Sequence, residues 1–124
     1  MSLRYIGPED VAGNLSWRMI ADALEAGHRL PRARIGDQLL ERDSEALLTR
    51  CAWIDGLGMG VKSASVMPGN EAAGLPTVQA AMLVFSDDTG TPEAVLDGTM
   101  VTDWKTAADS VLGARYLARP DSRK

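Results

Sequence analysis

The chain has 124 residues, which is enough for one domain with a hydrophobic core. Its net charge of -4 argues against nucleic acid or an anionic membrane surface as a partner, since both attract basic faces. A single cysteine, Cys51, and a single histidine, His28, exclude an intramolecular disulfide and a metal site rich in either residue. No stretch approaches the roughly 18 apolar residues of a membrane helix. We therefore expect a cytoplasmic protein without a metal.

The first third of the chain is predicted to be helical. Proline and two acids at 8–10 are typical of a helix start. Ser16 is predicted to cap a second helix, which ends at Gly27. The apolar residues of that helix fall on one face, at helical spacing: Met19, Ile20, Ala23 and Leu24.

Residues 35–98 are predicted to form strands joined by turns, and a helix follows. The helix is predicted to begin at a cap, Thr102, and to end before Pro120. The predicted strand at 77–86 is apolar on both faces in its second half, which indicates a central strand or one covered at an interface. The fold class expected is α+β, with amino-terminal helices, an antiparallel or mixed sheet of hairpins, and a carboxy-terminal helix. The predicted strands are 38–42, 46–54, 59–67, 77–86 and 93–96.

Three glycines at 56, 58 and 60 suggest a nucleotide-binding loop, but their context does not fit one. A dinucleotide loop leads from a strand into a helix, whereas these glycines lead into a strand-like segment that begins Val61-Lys62. We interpret them as a hairpin turn. Cys51 is interpreted as a small core residue.

Two lysines are candidate ligand-binding residues. Lys62 lies in a strand among small and apolar neighbours, where a cation must reach solvent, form a pair or meet a ligand. Lys105 follows the predicted cap Thr102 by three residues, where its charge would oppose the helix dipole. A cation beside free backbone N–H groups at a helix start predicts a site for a carboxylate or phosphate. The alternative for Lys105 is an ion pair with Asp103 or Asp109.

Several blocks of sequence occur together in one order: VKSASVMPGN at 61–70, GLPTVQ at 74–79, AVLDG at 94–98, VTDWKTAADS at 101–110 and LARPDSR at 117–123. Through them the chain from about residue 30 onward resembles the ornithine cyclodeaminase/mu-crystallin family. The resemblance implies an α+β substrate-binding domain, here 1–124, that dimerises through its sheet. It also implies a following Rossmann domain, absent from this chain, which would hold most of the NAD or NADP and the catalytic aspartate.

The resemblance also implies roles for individual residues. Lys62 is similar to a lysine that contacts the substrate carboxylate, and Thr77 to a threonine near the nicotinamide. Arg32 resembles an arginine that grips the carboxylate, with Arg34 as the alternative. Lys105 stands where the family has an arginine, so it keeps the charge and loses the bidentate fork. No catalytic residue is expected within this chain.

The resemblance implies an NAD(P)-dependent enzyme that acts on a small α-amino or α-imino acid, by deamination and cyclisation or by imine reduction. Thr49 stands where ornithine-specific members carry a glutamate, which weakens the case for ornithine. We expect a homodimer, inactive in this form alone. The alternative is a non-catalytic binding or dimerisation protein of the mu-crystallin type, or a remnant without a cofactor.

Overall fold

A computed structural model describes residues 3–123, which form a mixed six-stranded sheet with helices packed on one side. The elements in chain order are β1 (Arg4–Ile6), α1 (Pro8–Val11), α2 (Trp17–His28), β2 (Arg34–Arg42), β3 (Glu45–Ile54), β4 (Gly58–Val66), a 3-10 helix (Pro68–Ala73), β5 (Val78–Phe85), β6 (Pro92–Asp97) and α3 (Gly98–Leu117).

The strand order is β1-β6-β5-β4-β3-β2. All neighbours are antiparallel except β1, which pairs with β6 in parallel. The α+β class, the hairpins and the carboxy-terminal helix are therefore confirmed. Strand β1 was not predicted, because three residues give too short an alternation to detect. Strand β2 also begins earlier than predicted, at Arg34.

The glycines at 56–60 lie at a hairpin turn, as predicted: Gly56 is in the turn between β3 and β4, and Gly58 and Gly60 belong to the first residues of β4. Gly56 and Gly58 have φ of 83° and 142°, a region that side chains other than glycine rarely adopt. A Cβ on Gly58 would also lie 2.9 Å from the carbonyl oxygen of Phe85. Both glycines are therefore needed for the turn that joins β3 to β4.

Helix α2 begins as predicted, since the Ser16 side chain accepts a hydrogen bond from the backbone N–H of Met19 at 3.2 Å. It ends one residue later than predicted, at His28, because Gly27 keeps a helical conformation and Arg29 forms the cap. Helix α2 packs against α3. Trp17 and Trp104 contact each other at the start of this packing, with ring centroids 4.2 Å apart and the rings tilted by 42°. Further along the contact, Arg115 forms ion pairs with two acids of α2, Asp22 and Glu25.

The start of α3 differs from the prediction. The helix begins at Gly98, and its cap is Asp97, whose carboxylate accepts the backbone N–H of Met100 at 2.7 Å. Thr102 and Lys105 therefore lie in the second turn, so the argument that Lys105 opposes the helix dipole in the first turn was wrong. The local sequence does not reveal this start, because Asp97-Gly98 directly follows the apolar strand β6 and a strand end and a helix cap look alike there.

Gly98 sets how closely α3 approaches the sheet. A Cβ at this position would lie 2.4 Å from the backbone carbonyl carbon and from the Cβ of Ala80 in β5. Those atoms belong to a central strand, so the helix would have to move rather than the strand. The position of every α3 side chain above the sheet therefore depends on this glycine.

We predict that Gly98→Ala lowers the free energy of unfolding by about 1–3 kcal/mol, because overpacking forces the helix away from β5. Gly113→Ala on the same helix is the control. Its added methyl would meet no atom within 4 Å, and replacing a helical glycine should raise stability by up to about 1 kcal/mol. Urea unfolding of both variants tests this, and equal effects would contradict the proposed contact.

Asp87 ties the β3–β4 turn to the loop between β5 and β6. Its carboxylate accepts the indole N–H of Trp53 at 2.6 Å and the backbone N–H of Gly56 at 2.7 Å. The Trp53 hydrogen bond, with a second contribution from the Gly56 N–H, holds the pKa of Asp87 below its usual value. A lowered folded-state pKa means that the ionised form stabilises the folded chain.

This contribution should be complete above the unfolded pKa of about 3.8 and lost as the pH falls through the lower folded-state pKa. We predict that Asp87→Asn reduces the loss of stability on acidification. Asp88→Asn, which changes the adjacent carboxylate, should keep the wild-type pH profile. Urea midpoints between pH 2.5 and 6 measure the effect; an Asp87→Asn profile parallel to wild type would show that the carboxylate does not have this role.

Candidate substrate cleft

A cleft of about 620 Å³ lies between α3 and the strands β2 to β5. Met82 and Val101 form apolar walls, and Thr102 lies at its helical side. The charged side chains that line it are Asp37, Arg50, Lys62 and Lys105.

The register of the sheet brings three of these charges into one row. Asp37 pairs with Arg50 across β2 and β3, and Arg50 pairs with Lys62 across β3 and β4. Cross-strand partners point to the same face, and Met82 continues this row on β5. Lys62 therefore lies at the β4 end of a charged row, on the side of the sheet that faces α3.

Lys62 connects the sheet to the helix. Its ammonium group donates a hydrogen bond to the hydroxyl of Thr102 at 2.9 Å. The side chain therefore crosses the cleft, and its acceptor is a neutral group. An ammonium group has three donors, so two remain for a ligand.

Lys105 lies on the same side of α3 as Thr102 and pairs with Asp109, one turn along the helix. The Lys105–Asp109 ion pair, one of the alternatives predicted for this lysine, is therefore confirmed. Lys105 also lines the cleft. Both side chains of the pair are exposed. A ligand carboxylate could therefore compete with Asp109 for the ammonium group.

Arg50 contacts Asp37 through its Nε atom, at 3.3 Å from the carboxylate. Neither Arg50 nor Asp37 was predicted as a site residue. A signal was present in the sequence, since Arg50 and Lys62 are equidistant from Gly56 and a hairpin turn there pairs them.

Two predicted carboxylate ligands do not join this cleft. Arg32 lines a separate hollow of about 540 Å³ between α2 and the β3–β4 turn. Arg34 forms an ion pair with Asp55 at 2.6 Å and lies over the Trp53 ring, on the opposite face of the sheet. Lys62 and Lys105 therefore line one cleft, whereas Arg32 and Arg34 do not line it, Arg32 because β2 begins at Arg34 and leaves it outside the sheet. The roles of these residues as carboxylate ligands stay predictions.

Thr77 directly precedes β5, and its carbonyl accepts the backbone N–H of Met67 at 2.7 Å. It is not among the residues that line the cleft, and its position near a nicotinamide stays a prediction. Thr49 points to the face away from α3, where its hydroxyl bonds with Ser63 at 2.9 Å. A carboxylate at position 49 on this backbone would therefore point away from the cleft.

Cys51 is exposed, so its interpretation as a core residue was wrong. Its thiol donates a long hydrogen bond, 3.4 Å, to the carbonyl of Gly36. The reason is that no element of residues 3–123 covers this face of the sheet. Among those same residues there is no cluster of three or more metal-ligating side chains and no helix long and apolar enough to span a membrane.

A family profile described as the ornithine cyclodeaminase/mu-crystallin family matches residues 47–124. The chain belongs to this family. The match includes β4 with Lys62 and α3 with Lys105, two of the elements that line the cleft. The family that the sequence blocks indicated is therefore confirmed.

Individual relatives cover nearly all of this chain. The Delta(1)-pyrroline-2-carboxylate reductase of Paracoccus denitrificans is 52% identical over 120 residues, which is 97% of this chain and 38% of the relative. An archaeal alanine dehydrogenase dimer with bound NAD superimposes with a TM-score of 0.85 at 34% identity, over 98% of this chain and 39% of that one. The Thermococcus litoralis Delta(1)-pyrroline-2-carboxylate reductase, in complex with NADH and L-proline, gives a TM-score of 0.83 at 26% identity, with 98% and 40% covered.

The chain thus spans about two fifths of the length of these relatives. In each case the shared part is 97–98% of this chain. The two solved relatives contain bound NAD or NADH. The rest of each relative is not matched by this chain.

Proposed function

We propose that this chain is the substrate-binding domain of an NAD(P)-dependent enzyme that interconverts a small α-imino acid and its α-amino acid. The observation that carries this proposal is the shared cleft of Lys62 and Lys105, cations from a strand and from a helix. The relatives support the substrate class, since one is named a Delta(1)-pyrroline-2-carboxylate reductase and another is in complex with NADH and L-proline.

The cleft can hold a substrate by its carboxylate. Lys62 is fixed by Thr102 and offers its remaining donors, while Lys105 exchanges Asp109 for the ligand. Met82 and Val101 would enclose the carbon skeleton and exclude water from one side. Holding the acid at two points restricts the orientation of its α-carbon, which lowers the entropic part of the barrier.

The nicotinamide would supply or accept the hydride at the α-carbon. The glycines at 56–60 form a hairpin rather than a strand–loop–helix phosphate site. We therefore assign the domain to substrate binding, and we propose no catalytic acid or base among residues 3–123. A catalytic aspartate outside this chain, a nicotinamide contact of Thr77 and a carboxylate contact of Arg32 stay predictions.

We predict that Lys62→Met, in the enzyme that contains this domain, lowers kcat/KM by about 10- to 100-fold, because a charge-assisted hydrogen bond to the substrate carboxylate contributes about 1.5–3 kcal/mol. NADH binding, followed by nicotinamide fluorescence, should be unchanged. The control is Thr102→Val, which keeps the ammonium group and removes only its neutral acceptor, and a smaller loss is expected.

An unchanged kcat/KM for Lys62→Met would remove this lysine from the mechanism. Saturable amino-acid binding without turnover would instead favour the non-catalytic, mu-crystallin type of function.

We further propose that a second copy of the chain covers the open face of the sheet. This face carries a hollow of about 680 Å³ lined by Trp53, Val61 and Phe85, and it exposes Leu40 and Leu47. Apolar surface of this extent is unusual on a monomer, and the archaeal alanine dehydrogenase is described as a dimer. A cytoplasmic location stays a prediction.

Two adjacent leucines of β2 allow a matched test of this interface. Leu40 points to the open face and is 58% exposed, while Leu39 points to the α3 side and is 51% exposed. We predict that Leu40→Lys shifts the sedimentation coefficient from dimer to monomer, because a charge would be buried between the sheets. Leu39→Lys should leave the dimer intact. A wild-type monomer at high concentration would contradict the proposal.

A further inference from the structure

We propose that the cleft selects a dicarboxylic α-imino or α-amino acid, with Lys62 and Lys105 on the α-carboxylate and Arg50 on the second carboxylate. This inference rests on the proposed function, since it names the substrate class of the same cleft. The evidence is the charge balance of the lining, the geometry of Arg50 and the distance between its strand and that of Lys62.

The charges around the cleft do not cancel. Lys62, Lys105 and Arg50 line it, against the single acid Asp37, and Asp109 pairs with Lys105 from just outside. Three cations and two acids leave one positive charge. An amino dicarboxylic acid, with two carboxylates and one ammonium group, carries one negative charge and balances it. A monocarboxylic amino acid has no net charge, and a diamino acid would add a second positive charge.

Arg50 has its best hydrogen-bonding atoms free for a ligand. Its shortest contact with Asp37 is made by Nε at 3.3 Å, and among residues 3–123 its two Nη atoms make no hydrogen bond. The guanidinium side chain is 66% exposed, so it can turn toward a ligand. A planar fork of two N–H groups matches a carboxylate in a bidentate pair, which a lysine cannot form.

The spacing of Arg50 and Lys62 fits a short diacid. They are direct partners across β3 and β4, so their backbones are about 5 Å apart and their side chains point to the same face. Two cations opposite each other on neighbouring strands repel, and carboxylates bound to both would relieve that repulsion. The carboxyl groups of an extended four- or five-carbon diacid are about 4–5 Å apart, which matches one strand spacing.

The same lining disfavours a substrate with a second ammonium group. Asp37 is engaged by Arg50, and Thr49 lies on the other face. Among the described residues that line the cleft, no acid is left to receive such a group. Arg50 is therefore a specificity residue, and it does not act on the reacting atoms.

The test uses the enzyme that contains this domain, with NAD⁺ or NADP⁺ and four amino acids: L-aspartate, L-alanine, L-proline and L-2,4-diaminobutyrate. We expect the wild type to have a kcat/KM for L-aspartate at least tenfold above that for either monocarboxylic acid, and least activity with the diamino acid. Arg50→Met should lower kcat/KM for L-aspartate by tenfold or more and change the values for L-alanine and L-proline by less than twofold. Arg50→Lys should restore part of the loss.

Arg18→Met, which removes a positive charge from α2 away from the cleft, is the control for net charge and should behave as wild type. The inference is overturned if the wild type prefers L-proline or L-alanine over L-aspartate, or if Arg50→Met lowers all activities equally, as a structural role would. Both results would leave the proposed function standing. The proposed function itself fails only if none of the four acids is turned over or if Lys62→Met has no effect.

Discussion

The close approach of α3 to the central strand β5 determines where the functional groups lie. Gly98 allows the helix to begin directly on Ala80, and Asp97 caps it there. From this fixed start, helical geometry places Thr102 within hydrogen-bonding distance of Lys62 and brings Lys105 to the same cleft. Lys62 and Lys105 belong to separate elements. Their position at one cleft therefore depends on the contact between Gly98 and Ala80, which neither lysine makes.

The two faces of the sheet differ because the helices cover only one of them. On the α3 side, charged residues alternate with small and apolar ones and form a cleft open to solvent at β2 and β3. On the other side, Trp53, Val61 and Phe85 line an apolar hollow. Successive side chains of a strand point to opposite faces, so the charged residues and the apolar residues lie on different sides of the sheet. One sheet can therefore bind a charged ligand on one face and a second protein chain on the other.

The sequence was sufficient for the features that depend on local patterns. Ser16 before an apolar helical face, the glycines at 56–60 and the strand alternation each predict an element that the structure contains. The start of α3 could not be found in this way, because Asp97 ends a strand and caps a helix at once, and only its bond to Met100 distinguishes the roles. The exposure of Cys51 likewise depends on what covers the sheet, which local pattern does not determine.

Only part of the candidate site could be predicted, because the strand register that places Arg50 beside Lys62 is not evident from local sequence patterns. Lys62 was found because a strand lysine among small residues is unusual, whereas Arg50 looked like an ordinary surface charge until the β3–β4 pairing set it beside Lys62. Placing two cations opposite each other lowers stability when nothing is bound. Among the described residues Asp37 offsets only part of that cost, since it contacts Arg50 and not Lys62. An anionic ligand of the proposed kind would relieve the repulsion left between β3 and β4, so its binding would restore stability that the empty cleft lacks.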